Sequence, residues 1–296
     1  MKSIIVCNTA GDTISKVSLD DYSVKHLPLD LGEKPVGPHG IYFYKGNIIT
    51  TNNYSNSISV VSLSNYKETK NLYVGAHPND IKIYDDKGYI ACGESNSLLI
   101  MDMINEKIIF EISLEEFPHS VAIDEKAKRV YVSNMEGHSV SIVDSISNKV
   151  IEKIKAPEYP TKILLSKDNK MLYICESYLG YEVEGYINVI STENYKTISR
   201  IKVGLTPVDM WEEEGRLYIT NFTEGSISIV DIKSMKELKR IFLGGMPRGV
   251  VKYKDTIFIG DYLSGKIKGL NLKEQKIKTI AVGKEPNAMI IIEDYH

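Results

Sequence analysis

The sequence predicts an all-β fold, a seven-bladed β-propeller with four antiparallel strands in each blade, and three regularities carry that expectation. First, a proline recurs at Pro38, Pro78, Pro118, Pro160, Pro207, Pro247 and Pro286, at intervals of 40, 40, 42, 47, 40 and 39 residues. Second, a common phrase surrounds each one, as in "AHPNDIKI", "EFPHSVAI" and "GMPRGVVK". Third, a second phrase follows about a dozen residues later, best preserved as "YVSNMEGHSVSIVD" from Tyr131 and "YITNFTEGSISIVD" from Tyr218. A repeat near 40 residues holding several short strands is the signature of propeller blades.

Within a unit, four runs read as strands, taken from the ring's centre outward. In the repeat beginning at Pro207 they are "VDMWEE", "RLYITN", "SISIVD" and "KELKRIFL". Apolar–polar alternation and richness in Tyr, Ile and Thr favour strand over helix. The turns between them are polar or contain glycine: "EEEGR", "FTEGS" and "DIKSMK". The third strand ends in each unit on a small capping residue: Ser18, Ser62, Asp102, Asp144, Ser191, Asp231 or Asn271. Such side chains close tight turns by accepting from nearby backbone N–H groups, so their role is structural.

The chain ends close the ring. After Pro286 one strand remains, "NAMIIIEDY", while the residues before Pro38 supply three: "SIIVCN", "TISKVSL" and "SVKHLPL". One C-terminal inner strand plus three N-terminal strands make a seventh blade and leave no unpaired closing edge. Residues 286–293 are therefore predicted to pair with 2–8, and residues 1–296 to form a single domain.

Composition excludes some classes. Hydrophobic residues make up 43% and charged residues 25%, which suits a large core and not disorder. A net charge of -3 gives no electrostatic basis for binding nucleic acid or an anionic membrane, and neither partner is expected. No stretch approaches the apolar length of a membrane-spanning helix. The apolar run Ile4 to Cys7 is too short for a signal-peptide core, so a cytoplasmic location is expected. Three scattered cysteines, Cys7, Cys92 and Cys175, make neither a disulfide framework nor a zinc site.

The segment "YVSNMEGHSVSIVDSISNKVIEKI" resembles the repeat of the YVTN family of seven-bladed propellers, and the similarity extends over essentially the whole chain. Related propellers include lactonases, streptogramin B lyases and cofactor-bearing oxidoreductase subunits. The resemblance therefore speaks for a fold that hosts several chemistries.

Chain polarity places a site. The start of the inner strand and the end of the second strand fall on one face of the disc, around the channel mouth. The residues after the prolines are His39, Asn79, His119, Thr161, Val208, Arg248 and Asn287, followed by Gly40, Asp80, Ser120, Lys162, Asp209, Gly249 and Ala288. The second strands end at Asn8, Asn52, Cys92, Asn134, Glu176, Asn221 and Asp261. Folding asks every blade for the same residues, so charged departures mark candidates for function. His39, His119, Glu176, Arg248 and Asp261 are expected at one end of the channel, with Asp80, Asn134, Lys162, Asp209 and Asn221 as further ligand contacts. Structural roles compete with these: turn closure by the Asn positions, bonding of Asp80 and Asp209 to a neighbouring blade, a salt bridge between Arg248 and Asp261. Cys92 is a weak candidate nucleophile. The fourth blade carries an insertion, "SYLGYEVEGY", bringing Tyr178, Tyr181 and Tyr186, with Gly180 and Gly185 as candidate hinges. It is expected at the rim, as a lid, a partner contact or a neutral extension.

Three functions follow. The first is a propeller that binds a small ligand or a protein partner at the channel mouth without chemistry. The second is a lyase or lactonase. The segment "GPHGI" at Gly37 to Ile41 resembles the one that carries a catalytic His in streptogramin B lyases, which implies His39 or His119 as acid–base and Glu176 as its carboxylate. Those lyases have Trp-Phe where this chain has Tyr-Ile or Tyr-Val. The third is a divalent site, since Glu176, Asn134, Asn221 and Asp261 resemble in type the set of gluconolactonase-like propellers. Such oxygen ligands would suit Mg2+ or Ca2+.

Overall fold

The computed structural model describes residues 2–29 and 34–293. It contains seven four-stranded antiparallel sheets arranged in a ring, and one short 3-10 turn at Thr9–Gly11. The inner strands are Pro38–Tyr44, Pro78–Tyr84, Pro118–Asp124, Pro160–Leu165, Pro207–Glu213, Pro247–Tyr253 and Pro286–Glu293. Each packs on the next, and Pro286–Glu293 packs on Pro38–Tyr44, so the ring is continuous. The seventh blade is composite, as expected. Lys2–Asn8 pairs with Pro286–Glu293 in the register Lys2↔Glu293, Ser3↔Ile292, Ile4↔Ile291, Ile5↔Ile290 and Val6↔Met289.

Blades are held together by apolar faces that meet in pairs. Tyr131, Val140, Ile142 and Ala122 of one blade pack on Leu172, Ile174, Ile190 and Ile163 of the next. The aromatic residue of the second phrase is central to this packing: Tyr89, Tyr131, Tyr173, Tyr218 and Phe258 are all essentially inaccessible. Burying each one contributes on the order of 2–3 kcal/mol. The capping residues behave as expected. Asp102 accepts from the Ile104 and Asn105 N–H groups, and Asn271 accepts from those of Lys273 and Glu274.

Around the channel the inner strands approach closely, and small residues make that possible. A Cβ on Gly249 would lie 1.9 Å from the Asn287 carbonyl oxygen. Gly249→Ala must therefore separate two blades, and is expected to cost about 2–3 kcal/mol. Urea denaturation checks this; an unchanged midpoint would show that the strands slide apart freely.

Among the described residues no helix is long and apolar enough to cross a membrane.

Candidate functional site

Each blade offers the channel the same backbone device. The first residue after the second strand donates its N–H to the carbonyl of the residue before the proline. This occurs seven times, from Thr9, Asn53, Gly93, Met135, Ser177, Phe222 and Tyr262, at 2.8–3.2 Å. At Gly37, His77, Phe117, Tyr159, Thr206 and Glu285 the pre-proline residue is left-handed, with φ between 56° and 68°. That conformation is costly for residues with a Cβ, and the repeated hydrogen bond holds it in place. It turns His77 and Phe117 toward the mouth, and the inner strand then starts with a side chain facing the channel.

All seven residues that follow the prolines line one cavity of about 330 Å³: His39, Asn79, His119, Thr161, Val208, Arg248 and Asn287. Above them stands a collar of Tyr54, Phe117, Met135, Leu179, Phe222 and Tyr262. Phe222 and Tyr262 meet edge to face with centroids 5.6 Å apart, and His77 lies 5.3 Å from Phe117.

The two histidines are fixed as neutral tautomers. His39 Nδ1–H donates to the Asn79 carbonyl at 2.9 Å, and His119 Nδ1–H donates to the Thr161 carbonyl at 2.6 Å. Each Nε2 is therefore an acceptor. Arg248 Nη2 donates to His39 Nε2 at 3.2 Å, and the rings of His39 and His119 stand edge to face at 5.5 Å. Burial and the Arg248 charge push His39 well below the ordinary imidazole range and lower His119 from 6.5 to about 4.

Arg248 is the exceptional member. Its guanidinium lies against the Tyr262 ring, 5.6 Å from the centroid, and burial lowers its pKa. Among the described residues it forms no ion pair, and its only hydrogen bond is the one to His39. The salt bridge to Asp261 that the sequence left open is not formed.

One layer deeper the channel narrows to a space of about 40 Å³ beside Asp80, Lys162 and Asp209. Asp80 meets Lys82 Nζ at 3.0 Å and accepts the Val121 N–H of the next blade at 3.0 Å. Burial opposes the Asp80 charge, but Lys82, Lys162 and that N–H hold its pKa near 2. Lys162 Nζ lies 3.5 Å from Asp209, which accepts the Val250 N–H of its neighbouring blade. Two compensated pairs thus form a charged belt, and both aspartates tie blades together. Lys82, which sequence reasoning did not single out, completes it. Beyond the belt a second chamber of about 410 Å³ opens toward the other face, near Ile123, Leu165, Trp211 and Ile290.

The ends of the second strands do not join this site. Glu176 lies on the expected face, opposite Pro160 in register, but its side chain turns outward into its own blade. There it accepts from Asn188 at 2.9 Å and from Arg200 at 2.7 Å, with no exposed side-chain surface. Asp261 is likewise held by Lys268 at 2.9 Å, by Ser264 and by the Met246 N–H. Asn134 bonds Ser139 and Ser141, and Asn221 bonds Ser226 and Ser228. These four are turn-closing residues, so the expected convergence of Glu176 and Asp261 with the histidines is corrected. The same packing keeps Glu176, Asn134, Asn221 and Asp261 apart, so they do not form the Mg2+ or Ca2+ set. At the mouth itself, imidazole and guanidinium groups do not fit such a hard cation. Among the described residues no group of three or more His, Cys, Asp and Glu is placed to hold a metal.

Cys92 is buried, and burial pushes its thiol up to about 12, which is the reverse of an activated nucleophile. The inserted segment brings Leu179 to the mouth, while Tyr181 is 57% exposed and takes no part in the cavity. Tyr178 and Tyr186 engage Arg200, the former through its hydroxyl at 2.5 Å and the latter by ring stacking at 3.9 Å.

The neutral His119 has a consequence for stability. Between its folded value near 4 and the 6.5 of an unperturbed imidazole, the unfolded chain binds a proton that the folded chain does not. This contribution is complete above about pH 6.5, falls as pH drops toward 4, and amounts to about 3 kcal/mol. His119→Gln should remove it. The difference in unfolding free energy between wild type and variant, from urea titrations, is expected to change by about 2 kcal/mol or more between pH 7 and 4.5. An identical acid response in both proteins would contradict a neutral His119. The Asp80 contribution is lost only below about pH 4, outside this window.

No protein-family model and no curated protein sequence matches the chain. Solved structures do resemble it in fold. Kuenenia stuttgartiensis hydrazine synthase aligns with a TM-score of 0.79 and 15% identity, over 87% of this chain and 90% of that one. The dihydro-heme d1 dehydrogenase NirN in complex with DHE aligns at 0.70 and 14% identity, over 93% of this chain but 62% of that one. A functionally unknown protein from Desulfotomaculum acetoxidans aligns at 0.81 and 12% identity, over 99% of both chains. At these identities the likeness establishes the propeller fold and nothing finer.

Proposed function

We propose that the protein is a ligand-binding propeller whose site is the cavity at the channel mouth. One observation carries this reading: Arg248 is a half-buried cation that forms no ion pair among the described residues, with Asp209 and Glu285 acting on it only at longer range, and it is aimed into a cavity lined by polar groups. A charge removed from water costs several kcal/mol unless something compensates it, and folds do not keep such a group for packing alone. The aromatic collar supplies the apolar contact that small-molecule sites use alongside a few oriented polar groups. A propeller of the same fold, NirN, is known in complex with DHE.

The test is a fragment screen by ligand-observed NMR on the wild type and on Val208→Trp, whose larger side chain fills the mouth. Fragments that bind the wild type and not the variant support the reading. Fragments that bind both equally well would place ligand binding elsewhere.

A second reading, lyase or lactonase chemistry at the same mouth, draws on the Nε2 lone pair of His119, which accepts no hydrogen bond among the described residues. A general base there would act without a carboxylate behind it, because a backbone carbonyl holds Nδ1. Turnover of lactones or cyclic esters that is lost in His119→Gln would favour this reading over binding alone.

A further inference from the structure

We infer that the ligand of the channel mouth is a small aryl monocarboxylate carrying a hydroxyl or amino group; this rests on the reading of the mouth as a ligand site. Charge sets the anion. Asp80 with Lys82 and Lys162 with Asp209 cancel in the belt below, and burial beside Arg248 keeps both Nδ1-protonated histidines neutral at pH 7. Arg248 faces the cavity with no ion pair among the described residues, the Asp209 and Glu285 charges reaching it only at longer range, so a single added negative charge suits it better than the two of a phosphate monoester. Its planar fork pairs two parallel N–H groups with a carboxylate. The His39 bond occupies one Nη2 hydrogen and leaves the others to the cavity.

Shape sets the body. Tyr54, Phe117, Phe222 and Tyr262 present ring faces and edges around a space of about 330 Å³. Roughly 150 Å³ is enough to take up benzene, so one aromatic ring with its substituents fits. Polarity sets the substituent. His119 Nε2 is an acceptor without a donor among the described residues, and a ligand hydroxyl or amino group supplies one.

The experiment is isothermal titration of 4-hydroxybenzoate, benzoate, their primary amides and inorganic phosphate into the full chain at pH 7. Wild type, Arg248→Gln and Phe222→Ala are compared. The acids are expected to bind at least tenfold more tightly than the amides, and 4-hydroxybenzoate more tightly than benzoate. Arg248→Gln should weaken the acids at least tenfold and leave the amides unchanged, while Phe222→Ala weakens both. The acid–amide contrast is read on the wild type, so it stands even if a variant folds poorly. If acids and amides bind alike but both weaken in Phe222→Ala, the mouth is a ligand site and the carboxylate assignment fails. Phosphate binding more tightly than every acid would also overturn it. If no compound binds, or binding is indifferent to both substitutions, the carboxylate assignment fails together with the mouth reading for this class of ligand.

Discussion

Removing residues 286–296 is expected to abolish the cooperative folding of the whole chain, not merely to fray one end. The deleted strand is the innermost strand of the closing blade and the lateral neighbour of two others. Its loss uncovers Ile4, Val6, Val17 and Val251 on one side and Ile5, Ile14, Ile41 and Ile48 on the other, all of which pack around Met289 or Ile292. It also leaves the inner edge of Lys2–Asn8 without a partner, while the outer edge stays bonded to Thr13–Ser18. Truncating a single buried Ile or Met costs about 2–5 kcal/mol, so the loss should exceed 5 kcal/mol, comparable with the whole stability of a typical domain. Calorimetry checks it. A truncated chain with a cooperative transition at the wild-type Tm would mean that six blades close without the seventh.

Arg200→Met is expected to destabilise the protein by about 3–5 kcal/mol at neutral pH, although Arg200 is partly exposed and distant from the channel. Glu176 is fully buried, and Arg200 and Asn188 are the groups that hold its charge. Burial already raises its pKa, and without the guanidinium it rises further above the unfolded value. Breaking a buried pair from one side costs more than the pair contributes. The penalty exists where the unfolded carboxyl is ionised, so it should shrink as pH falls to about 4, where the folded carboxyl is protonated and the unfolded one largely so. Urea titrations of wild type and variant at pH 7 and 4 measure it. A pH-independent difference would mean lost packing on Tyr186 and not a stranded carboxylate.

The ring was legible because it is written seven times. Proline spacing, the Tyr-bearing second strand and the strand count at the two ends each determined a part of it. The position of the mouth was equally legible, since chain polarity brings the residues after all seven prolines to one rim. A second-strand terminus is one half of a pair and carries no functional meaning as an isolated residue. In four blades this residue is Asn and the residue seven positions later is Ser: Asn8 with Ser15, Asn52 with Ser59, Asn134 with Ser141, Asn221 with Ser228. In the blade with Asp261 the partner is Lys268, and Glu176 faces Asn188 and Arg200. Cys92 stands beside an apolar Leu99. Each departure is compensated within its own blade, so a charge there reports a different internal pair. Reading the two positions together would have removed Glu176 and Asp261 from the site. The same comparison would have kept Arg248, since the Asp261 carboxylate of its own blade is taken by Lys268.

The collar was less legible. Phe117 precedes a proline, while Tyr54, Phe222 and Tyr262 follow the second strands within loops of variable sequence. Their common direction depends on the seven backbone bonds and the left-handed pre-proline residues, which no single blade announces. The position of Lys82 in the belt also escaped, because strand alternation alone did not show that its ammonium reaches back to Asp80.

The most direct measurement of the channel mouth as a ligand site is an anomalous difference map from a crystal of the full chain soaked with 4-bromobenzoate. The expected result is one bromine peak within the collar of Phe117, Phe222 and Tyr262, with the carboxylate on Arg248. A bromine peak only in the chamber beyond the Asp80–Lys82 and Lys162–Asp209 belt, or on the outer surface with the mouth empty, would contradict it.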